Sequence, residues 1–432
     1  MRYQLQVKSY PNQKHRIIVP YAIYHQHKSI RKIQNGPYLS TCEWLSHNKD
    51  TSIIYISSSL LQQLQLTVEQ TYTISLSNYL CSIVYQLGIF IANMGQIDRY
   101  SDSFQTLVET GHTFGFDTIL FHYKDLDFHH HTVTGYTYTN NTWSKISSPI
   151  PPVVYNRLPN RKIEAHPSVQ QQKEHLKTYS IIFNPDFFNK WNVFRLCMQS
   201  STSRYLLPHT IFQPSQNTVL EWIERTPCYI KPIHGSKGKD IYYLEKIDHH
   251  YAITYTQIGE QVTNKYSTFE ELFTNHFDEG LQGYVIQEAI PLLANDQKKI
   301  DIRVHTNKDE HNNWHTSIIY IHQEDQVSIL THASYSADVY HLDDYFSAKE
   351  AESIQNKLNA IVLSLSNHLE QHYKGQLGEL AFDFGIDNEK KLWLFEINAK
   401  PGWFVFEGST LFYKEYKEIC QYLYRYAFYL AK

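Results

Sequence analysis

Two acidic residues near the C-terminal end of the chain are the first candidates for chemistry. The apolar segments that contain Asp383 and Glu396 flank a polar run, residues 387–391, which is typical of a β-hairpin. A loop of even length centred between Glu389 and Lys390 would place Asp383 directly opposite Glu396. Because like charges on paired strand residues repel, we expect a cation there, and carboxylate oxygens are ligands that Mg²⁺ prefers.

Strand alternation gives this hairpin a polar and an apolar face. The polar face is expected to carry Glu379, Asp383, Glu396 and Asn398. The apolar face is expected to carry Phe382, Phe384, Trp393, Phe395 and Ile397. The alternative is a solvated hairpin whose acidic residues face water, which is ordinary for exposed strands.

A lysine followed by a glycine-containing loop is the second candidate site. A short strand delivers Lys231, and the next strand begins at Ile241. The loop between them contains Gly235, Ser236, Lys237 and Gly238. Glycine lets backbone N–H groups approach phosphate oxygens closely, and lysine supplies positive charge. The segment is neither a Walker A loop nor a dinucleotide fingerprint, and a plain hairpin turn is the alternative.

A third candidate follows an apolar strand that ends in Gln287, Glu288 and a proline. Beyond it, Asp301 and Arg303 alternate onto one face of the next strand. Arg303 could hold a phosphate with two hydrogen bonds, while the alternative is an Asp–Arg pair on the surface.

Composition restricts the class of protein. With 39 Lys and Arg against 43 Asp and Glu, the net charge is −4, so the chain lacks the basic field of a nucleic-acid binder. At 42% hydrophobic and 19% charged residues, it has enough apolar side chains to fold. The five widely spaced cysteines, the lack of a signal peptide and the lack of a membrane-spanning stretch predict a soluble cytoplasmic protein with no membrane partner.

The order of apolar segments predicts the elements that position these residues. Short alternating runs at residues 16–20 and 52–56 indicate a small β-rich module. Continuous apolar runs at 87–92 and 118–122, separated by a helical segment at 101–110, predict buried parallel strands of an α/β domain. Three further features are an edge strand or linker at 147–152, a helix at 187–199 and a buried aromatic helix at 413–430.

Taken in order, these motifs resemble those of the ATP-grasp superfamily. The series is Lys231-Pro, the Gly-Ser-Lys-Gly loop, Gln287-Glu288, Asp301-Ile-Arg303, Asp383 and Glu396-Ile-Asn398. More narrowly, residues 152–161 and 229–238 resemble the endospore coat-associated YheC/YheD family. The resemblance covers essentially the whole chain, and the specific motifs are concentrated after Val153.

The resemblance implies α/β and α+β architecture. We expect an ATP-grasp fold preceded by a Rossmann-like pre-ATP-grasp domain and a small N-terminal β-rich module. The expected domains are residues 1–85 for the β-rich module, 86–185 for the pre-ATP-grasp domain and 186–432 for the ATP-grasp domain, with its lid at about 210–285.

The resemblance also implies a role for each candidate residue, with ATP and Mg²⁺ as cofactors. Lys231 would contact the α- and β-phosphates beneath the loop of residues 235–238, and Lys190 would be a second nucleotide lysine. The hinge whose backbone meets the adenine edge would be Gln287, Glu288, Ala289 and Ile290. The Mg²⁺ ligands would be Asp383, Glu396 and Asn398. Arg303 would be catalytic and face the γ-phosphate or an acyl phosphate.

One position departs from the family's pattern. The lid loop of the family usually continues with a glycine where this chain has Asp240. A carboxylate there either repels phosphate or points away from it, so the departure bears on the geometry of the lid.

The function implied is an ATP- and Mg²⁺-dependent carboxylate–amine or carboxylate–thiol ligase that acts through an acyl phosphate, in connection with sporulation. Its partners would be small-molecule or peptide carboxylates and amines, and spore coat proteins, in a cytoplasmic or spore-associated location. The alternative is a catalytically silent, nucleotide-binding structural protein of the spore coat.

Overall fold

The computed structural model describes residues 1–234, 240–257, 260–295, 298–323, 338–403 and 411–432. The predicted loop residues Gly235, Ser236, Lys237 and Gly238 lie outside the described residues. Contacts within the chain divide it into two compact units. The first unit is Met1–Pro185, Lys308–Asn313 and Phe406–Lys432, and the second is Asp186–Asn307 and Trp314–Val405. The domain boundaries expected from the sequence stay predictions.

The chain begins with an eight-stranded sheet, and the two alternating runs predicted as strands are among its strands. Its strands are β1 (Arg2–Tyr10), β2 (Arg16–Pro20), β3 (Lys32–Asn35), β4 (Tyr38–Thr41), β5 (Glu43–His47), β6 (Ile53–Ser57), β7 (Thr71–Ser77) and β8 (Leu80–Ile83). Two short helices accompany them, α1 (Tyr21–Gln26) and α2 (Ser58–Leu64). The strand order is β4-β3-β8-β7-β1-β6-β2-β5. Alternate residues such as Leu5 and Val7 are buried, so one face of the sheet forms the core of this module.

A second sheet follows in the same unit. Its strands are β9 (Tyr85–Phe90), β10 (Phe116–Phe121), β11 (Leu126–Asp127), β12 (Thr132–Thr139), β13 (Thr142–Pro149), β14 (Val153–Asn156) and β15 (Ile181–Phe183). Its helices are α3 (Met94–Arg99), α4 (Ser101–Thr113), α5 (Arg161–Glu164) and α6 (Pro167–Leu176), with a 3₁₀ turn at Tyr123–Asp125.

The predicted parallel arrangement in this sheet is confirmed. Strand order is β11-β12-β10-β9-β14-β15, with β13 at the edge on β12. The strands β10, β9, β14 and β15 are parallel neighbours. The continuous apolar sequences of β9, β10 and β14 are buried on both faces, as is usual where helices cover a parallel sheet.

The second unit contains two sheets, and the first of them carries Lys231. This "lysine sheet" consists of β16 (Thr210–Phe212), β17 (Cys228–Pro232), β18 (Tyr242–Ile247), β19 (His250–Gln257), β20 (Glu260–Tyr266) and β21 (Tyr284–Glu288). The order is β16-β21-β17-β18-β19-β20, and every neighbouring pair is antiparallel.

Three helices belong to the same stretch of chain: α7 (Lys190–Gln199), α8 (Gln216–Ile223) and α9 (Phe269–Phe277). One face of the lysine sheet packs on α8 and α9 through Ile230, Leu244 and Ile286. Helix α7 begins three residues later than the predicted Phe187, because the side chain of Asn189 caps it by accepting a 3.0 Å hydrogen bond from the N–H of Asn192.

The remaining sheet carries Asp383. This "acid sheet" consists of β22 (Ala294–Asn295), β23 (Lys298–Lys308), β24 (Trp314–Gln323), β25 (Asp338–Tyr340), β26 (Glu379–Ile386) and β27 (Leu392–Asn398). Its order is β25-β24-β23-β26-β27, with β22 on β23. The long helix α10 (Ala348–His372) follows a 3₁₀ turn at Leu342–Asp344 and covers one face through Leu358, Val362 and Leu365.

The C-terminal helix α11 (Tyr413–Ala431) belongs to the first unit. Its aromatic stripe is buried, as predicted, and Tyr416, Tyr424 and Tyr426 are fully covered. The hydroxyl groups find partners there: Tyr424 lies 2.7 Å from Oγ1 of Thr118, and Tyr416 donates a 2.7 Å hydrogen bond to the carbonyl of Ser103.

Candidate functional site

The C-terminal hairpin pairs its two acidic residues as predicted, although its loop differs from the prediction. Asp383 on β26 lies directly opposite Glu396 on β27. The strands end at Ile386 and Leu392, so the loop of residues 387–391 has five residues and the expected even length is wrong. A β-bulge between Asp383 and Phe384 inserts Phe395 as an extra residue in β27, and this one-residue shift restores the pairing of the acids.

The bulge also corrects the predicted faces of β27. Beyond it, Leu394 pairs with Phe384 and Trp393 pairs with Gly385. Trp393 therefore lies on the same face as Asp383 and not on the apolar face, and Phe395 belongs to the bulge. The buried apolar residues of β27 are Leu392, Leu394 and Ile397, a spacing that breaks the period of two at the bulge.

Asp383 is buried and paired with Arg303. Register places Arg303 of β23 opposite Asp383 of β26. Its guanidinium donates two hydrogen bonds to the carboxylate, from Nε to Oδ1 and from one terminal nitrogen to Oδ2 at 3.1 Å. Burial, the largest single effect, lowers the pKa of Arg303, but the charges of Asp383, Tyr320 and Asp301 and the hydrogen bond to Asp383 together outweigh it. The pKa is therefore raised, and the side chain stays cationic.

Asp301, the proposed surface partner of Arg303, does not lie on the surface. Its carboxylate is fully buried, and Oδ1 is 3.1 Å from Nδ1 of His322. The surface Asp301–Arg303 pair is therefore not the arrangement in the structure, where Arg303 binds the predicted metal ligand Asp383.

Glu396 is held by the second predicted lysine. Lys190 is the first residue of α7, and its Nζ donates a 3.1 Å hydrogen bond to Oε2 of Glu396. An open cleft lies beside this ion pair. Among its lining residues are Phe194, Cys197, Leu394 and Phe395.

Lys231 projects from the face of the lysine sheet opposite to the α8–α9 core. Its Nζ donates a 2.7 Å hydrogen bond to Oε1 of Gln287 and lies 4.8 Å from the ring centre of Tyr229 and 5.7 Å from that of Phe395. Burial, and then the nearby charge of Lys190, lower the pKa of Lys231 to about 7. The side chain therefore loses its proton much nearer to neutral pH than an ordinary lysine does.

The predicted hinge residues begin at the end of β21 and continue past it. The N–H of Glu288 donates to the carbonyl of His209, and the N–H of Ala289 donates to the carbonyl of Pro227, each at 3.0 Å. The Glu288 carboxylate accepts a 2.8 Å hydrogen bond from the N–H of His209. Two of the hinge N–H groups are therefore engaged within the sheet, and Ile290 is the next hinge residue after them.

Asp240 occupies a backbone conformation that suits the glycine expected there from the family resemblance. Its φ is 57°, in the left-handed region that glycine adopts without a steric penalty and aspartate adopts more readily than most residues. The side chain is exposed. Its charge contributes, after burial, to raising the pKa values of Tyr242 and Tyr284.

The donor set around Asp383 fits Mg²⁺ in kind. Two acidic residues are paired across the strands, and the Asn398 amide lies beside Asp383, with Nδ2 3.0 Å from Oδ2 of Asp383. Mg²⁺ takes one or two carboxylates and completes its shell with water and phosphate oxygens. In the structure, Arg303 and Lys190 neutralise the negative charges of Asp383 and Glu396, which a bound Mg²⁺ would otherwise neutralise. Among the described residues, no three His, Cys, Asp or Glu side chains form a metal-binding group.

Several contacts of this site involve residues that the sequence motifs do not identify. Thr210 accepts a 3.0 Å hydrogen bond from Nε2 of Gln287, and the rings of Tyr229 and Phe395 flank Lys231. Strand alternation places Tyr229 on the same face of the strand as Lys231, so its position beside the lysine could have been predicted from the sequence. A single threonine in a short strand and a bulge residue carry no comparable signal.

Comparisons with known proteins agree with the motifs. Residues 180–430 match the model of the family described as YheC/D like ATP-grasp. The endospore coat-associated protein YheD of Bacillus subtilis (strain 168) is 32% identical over 371 residues, which cover 83% of this chain and 82% of that protein. The endospore coat-associated protein YheC of the same organism is 24% identical over 276 residues, or 62% of this chain and 75% of that protein.

Among solved structures, the VanG D-Ala:D-Ser ligase of Enterococcus faecalis is 13% identical, with a TM-score of 0.49 over 80% of this chain and 99% of that one. No helix in the described part of the chain is long and apolar enough to span a membrane. The family match spans more than half of the chain and includes both sheets of the second unit, which confirms the expected fold class. The chain belongs to the YheC/D-like ATP-grasp family.

Proposed function

We propose that this protein is an ATP- and Mg²⁺-dependent ligase that joins a carboxylate to an amine or thiol through an acyl phosphate. The observation that carries the proposal is the pairing of Asp383 with Glu396 beside Asn398, with Arg303 and Lys190 in contact with the two carboxylates. In a member of an ATP-grasp family, this arrangement supports transfer of a phosphoryl group between two anionic substrates.

Nucleotide binding is assigned to the lysine sheet and the adjacent cleft. Lys231 would bind the α- and β-phosphates together with the loop of residues 235–238, and Lys190 would be the second phosphate ligand. The backbone of residues 287–290 would meet the adenine edge. Since Glu288 and Ala289 already donate their N–H groups within the sheet, Ile290 is our choice for the donor to the base.

Asp383, Glu396 and Asn398 would hold Mg²⁺. The ion would offset negative charge on the phosphates at the point of transfer. With the carboxylates holding that ion, Lys190 and Arg303 would be available to phosphate oxygens. Arg303 then contacts the transferring phosphoryl group with its planar pair of N–H donors. No side-chain nucleophile is needed, because positioning and charge complementarity carry this kind of reaction.

We extend the proposal to the remaining sequence-based expectations. Residues 1–85, 86–185 and 186–432 would be the β-rich module, the pre-ATP-grasp domain and the ATP-grasp domain, with the lid at about 210–285. The substrates would be small-molecule or peptide carboxylates and amines. Because its relatives YheD and YheC are named endospore coat-associated proteins, we propose a cytoplasmic origin and an association with the spore coat.

A second candidate function is a nucleotide-binding spore coat protein without turnover. One observation favours it: Asp240 places an exposed carboxylate in a left-handed position two residues after the proposed phosphate-binding loop. A negative charge at this point opposes a phosphate group and would slow closure of the loop.

The two functions are separated by measuring binding and turnover on the same preparation. Calorimetry with ATP in the presence of Mg²⁺ should give binding in either case. A ligase should then release ADP when it is supplied with the correct pair from a panel of amino acids and peptides. Tight binding with no ADP release across the panel supports the structural protein, and no nucleotide binding at all refutes both.

A further inference from the structure

A chain of hydrogen bonds crosses three strands of the lysine sheet and ends at Lys231. The ammonium of Lys231 on β17 donates to Oε1 of Gln287 on β21 at 2.7 Å. The Nε2 of Gln287 donates to Oγ1 of Thr210 on β16 at 3.0 Å. Thr210 in turn donates to the carbonyl of Pro208 at 2.9 Å. Register explains the contacts, because Gln287 pairs with Thr210 on one side and with Tyr229, two residues before Lys231, on the other.

The chemistry of the groups determines which one donates and which one accepts in each hydrogen bond of this chain. An ammonium has donors only, so it must meet the oxygen of the Gln287 amide. The NH₂ group of the amide then faces Thr210, whose hydroxyl accepts a hydrogen bond from it. The same hydroxyl donates to the carbonyl of Pro208, which can only accept. Lys231 and the carbonyl of Pro208 thus form the two ends of the hydrogen-bond chain. Only one orientation of the Gln287 amide satisfies both of its neighbours, Lys231 and Thr210.

The surroundings leave Gln287 little freedom. Its side chain is 6% exposed, so an amide without partners would bear the full cost of its lost hydration. The rings of Tyr229 and Phe395 lie within 6 Å of the same ammonium, at distances where their faces attract a cation. The amide and the two rings together restrict a side chain that has four rotatable bonds.

We propose that Gln287 and Thr210 are positioning residues for Lys231, and that the Gln287 side chain acts on the nucleotide only through that lysine. The inference rests on the proposed function, which assigns Lys231 to the phosphates. The inference separates two roles of Gln287. Its backbone, as part of the hinge, would contact the base, while its side chain would support phosphate binding. Holding Lys231 in place before the nucleotide arrives reduces the conformational entropy that binding must remove.

The test compares ADP, which carries phosphates, with adenosine, which carries none. Binding of each to the full chain is measured by calorimetry, in the presence of Mg²⁺. Gln287→Met should weaken ADP binding by roughly three- to tenfold, the range for freeing one long side chain, and leave adenosine binding unchanged. Thr210→Val should act in the same direction with a smaller effect, and Thr210→Ser, which keeps the hydroxyl, should restore wild-type affinity.

A double-mutant cycle isolates the pathway of the effect. With Lys231→Met already in place, Gln287→Met should cause no further loss of ADP binding. Thr263→Val is the matched control, because it removes a threonine hydroxyl on the same sheet, one that bonds only to Thr254 at 2.9 Å among the described residues. It should not change the affinity for ADP.

The outcomes distinguish this inference from the proposed function. Equal losses for ADP and adenosine in Gln287→Met, or an undiminished loss in the Lys231→Met background, would overturn the positioning role while nucleotide binding stands. If Gln287→Met fails to fold, Thr210→Val and Thr210→Ser carry the same comparison. Failure of the unsubstituted chain to bind ADP would refute the proposed function and this inference with it.

Discussion

The charge state of Lys231 should make nucleotide binding depend on pH near neutrality. Its pKa is lowered to about 7 by burial and by Lys190. A phosphate group stabilises the protonated lysine, so binding raises this pKa and takes up a proton above pH 7. If only the ammonium form binds, its population falls from about 90% at pH 6 to about 10% at pH 8, which predicts a roughly tenfold loss of affinity, or about 1.4 kcal/mol.

Calorimetry with ADP at pH 6, 7 and 8, in buffers of different ionisation enthalpy, measures both the affinity and the proton uptake. The nucleotide's own ionisation is the same for every variant, so comparison with Lys231→Arg removes it. Arginine stays protonated throughout this range, and its variant should show neither proton uptake nor the tenfold change. A wild-type profile that matches the Lys231→Arg profile would refute the assignment of a shifted lysine to the phosphate site.

The lowered pKa of Lys231 should also make the free energy of unfolding depend on pH. The unfolded chain keeps the Lys231 proton up to its ordinary pKa near 10.5, whereas the folded chain loses it near 7. Between these values the unfolded state binds more protons, so this group makes the free energy of unfolding rise with pH, by up to about 1.4 kcal/mol per pH unit. Denaturant titrations at pH 7 and 9 should show this difference for wild type relative to Lys231→Met, and equal differences would contradict it.

Three substitutions test other parts of the site. Glu396→Gln should abolish the Mg²⁺-dependent part of nucleotide binding while the circular dichroism spectrum is unchanged; unaltered affinity for ADP with Mg²⁺ would count against the metal assignment. Asp240→Gly should keep or raise stability and strengthen ATP binding, whereas Asp240→Ala should lower stability by about 1 kcal/mol because alanine resists a positive φ; equal melting temperatures for the two would exclude the backbone explanation. Gly385→Ala should destabilise the hairpin by about 1–3 kcal/mol, because its Cβ would lie 2.4 Å from the ring of Phe395 and 2.5 Å from the side chain of Leu292, and a neutral effect in denaturant titration would show that the bulge is easily displaced.

Much of the fold could be predicted because the sequence patterns are strong at those points. Residues 87–92 and 118–122 are continuous apolar runs, and a strand buried on both faces of a parallel sheet leaves that pattern. The aromatic stripe of α11 repeats at helical spacing, so its burial was also predictable. The proposed roles of Lys190 and Lys231 came from the family resemblance and not from periodicity, since an isolated lysine has no pattern of its own.

The bulge at Phe395 was beyond sequence analysis for a physical reason. An even loop without a bulge and a five-residue loop with one both place Asp383 opposite Glu396. The two alternatives differ in which face Trp393 occupies, and aromatic residues are found on both faces of half-buried strands. Packing decides between them: the bulge lets Leu392, Leu394 and Ile397 all reach the core.

The position of the bulge has a consequence for the turn that joins the two strands. Because the extra residue lies between the turn and Glu396, the strand segments on its two sides are registered separately. A cysteine for dye labelling in residues 387–391 that keeps the hydrogen bonds from Glu389, Lys391 and Trp393 to Asp387 is therefore expected to leave Glu396 opposite Asp383. The turn thus offers an attachment point for a reporter within a few residues of the carboxylates, where occupancy of the site could be followed by fluorescence.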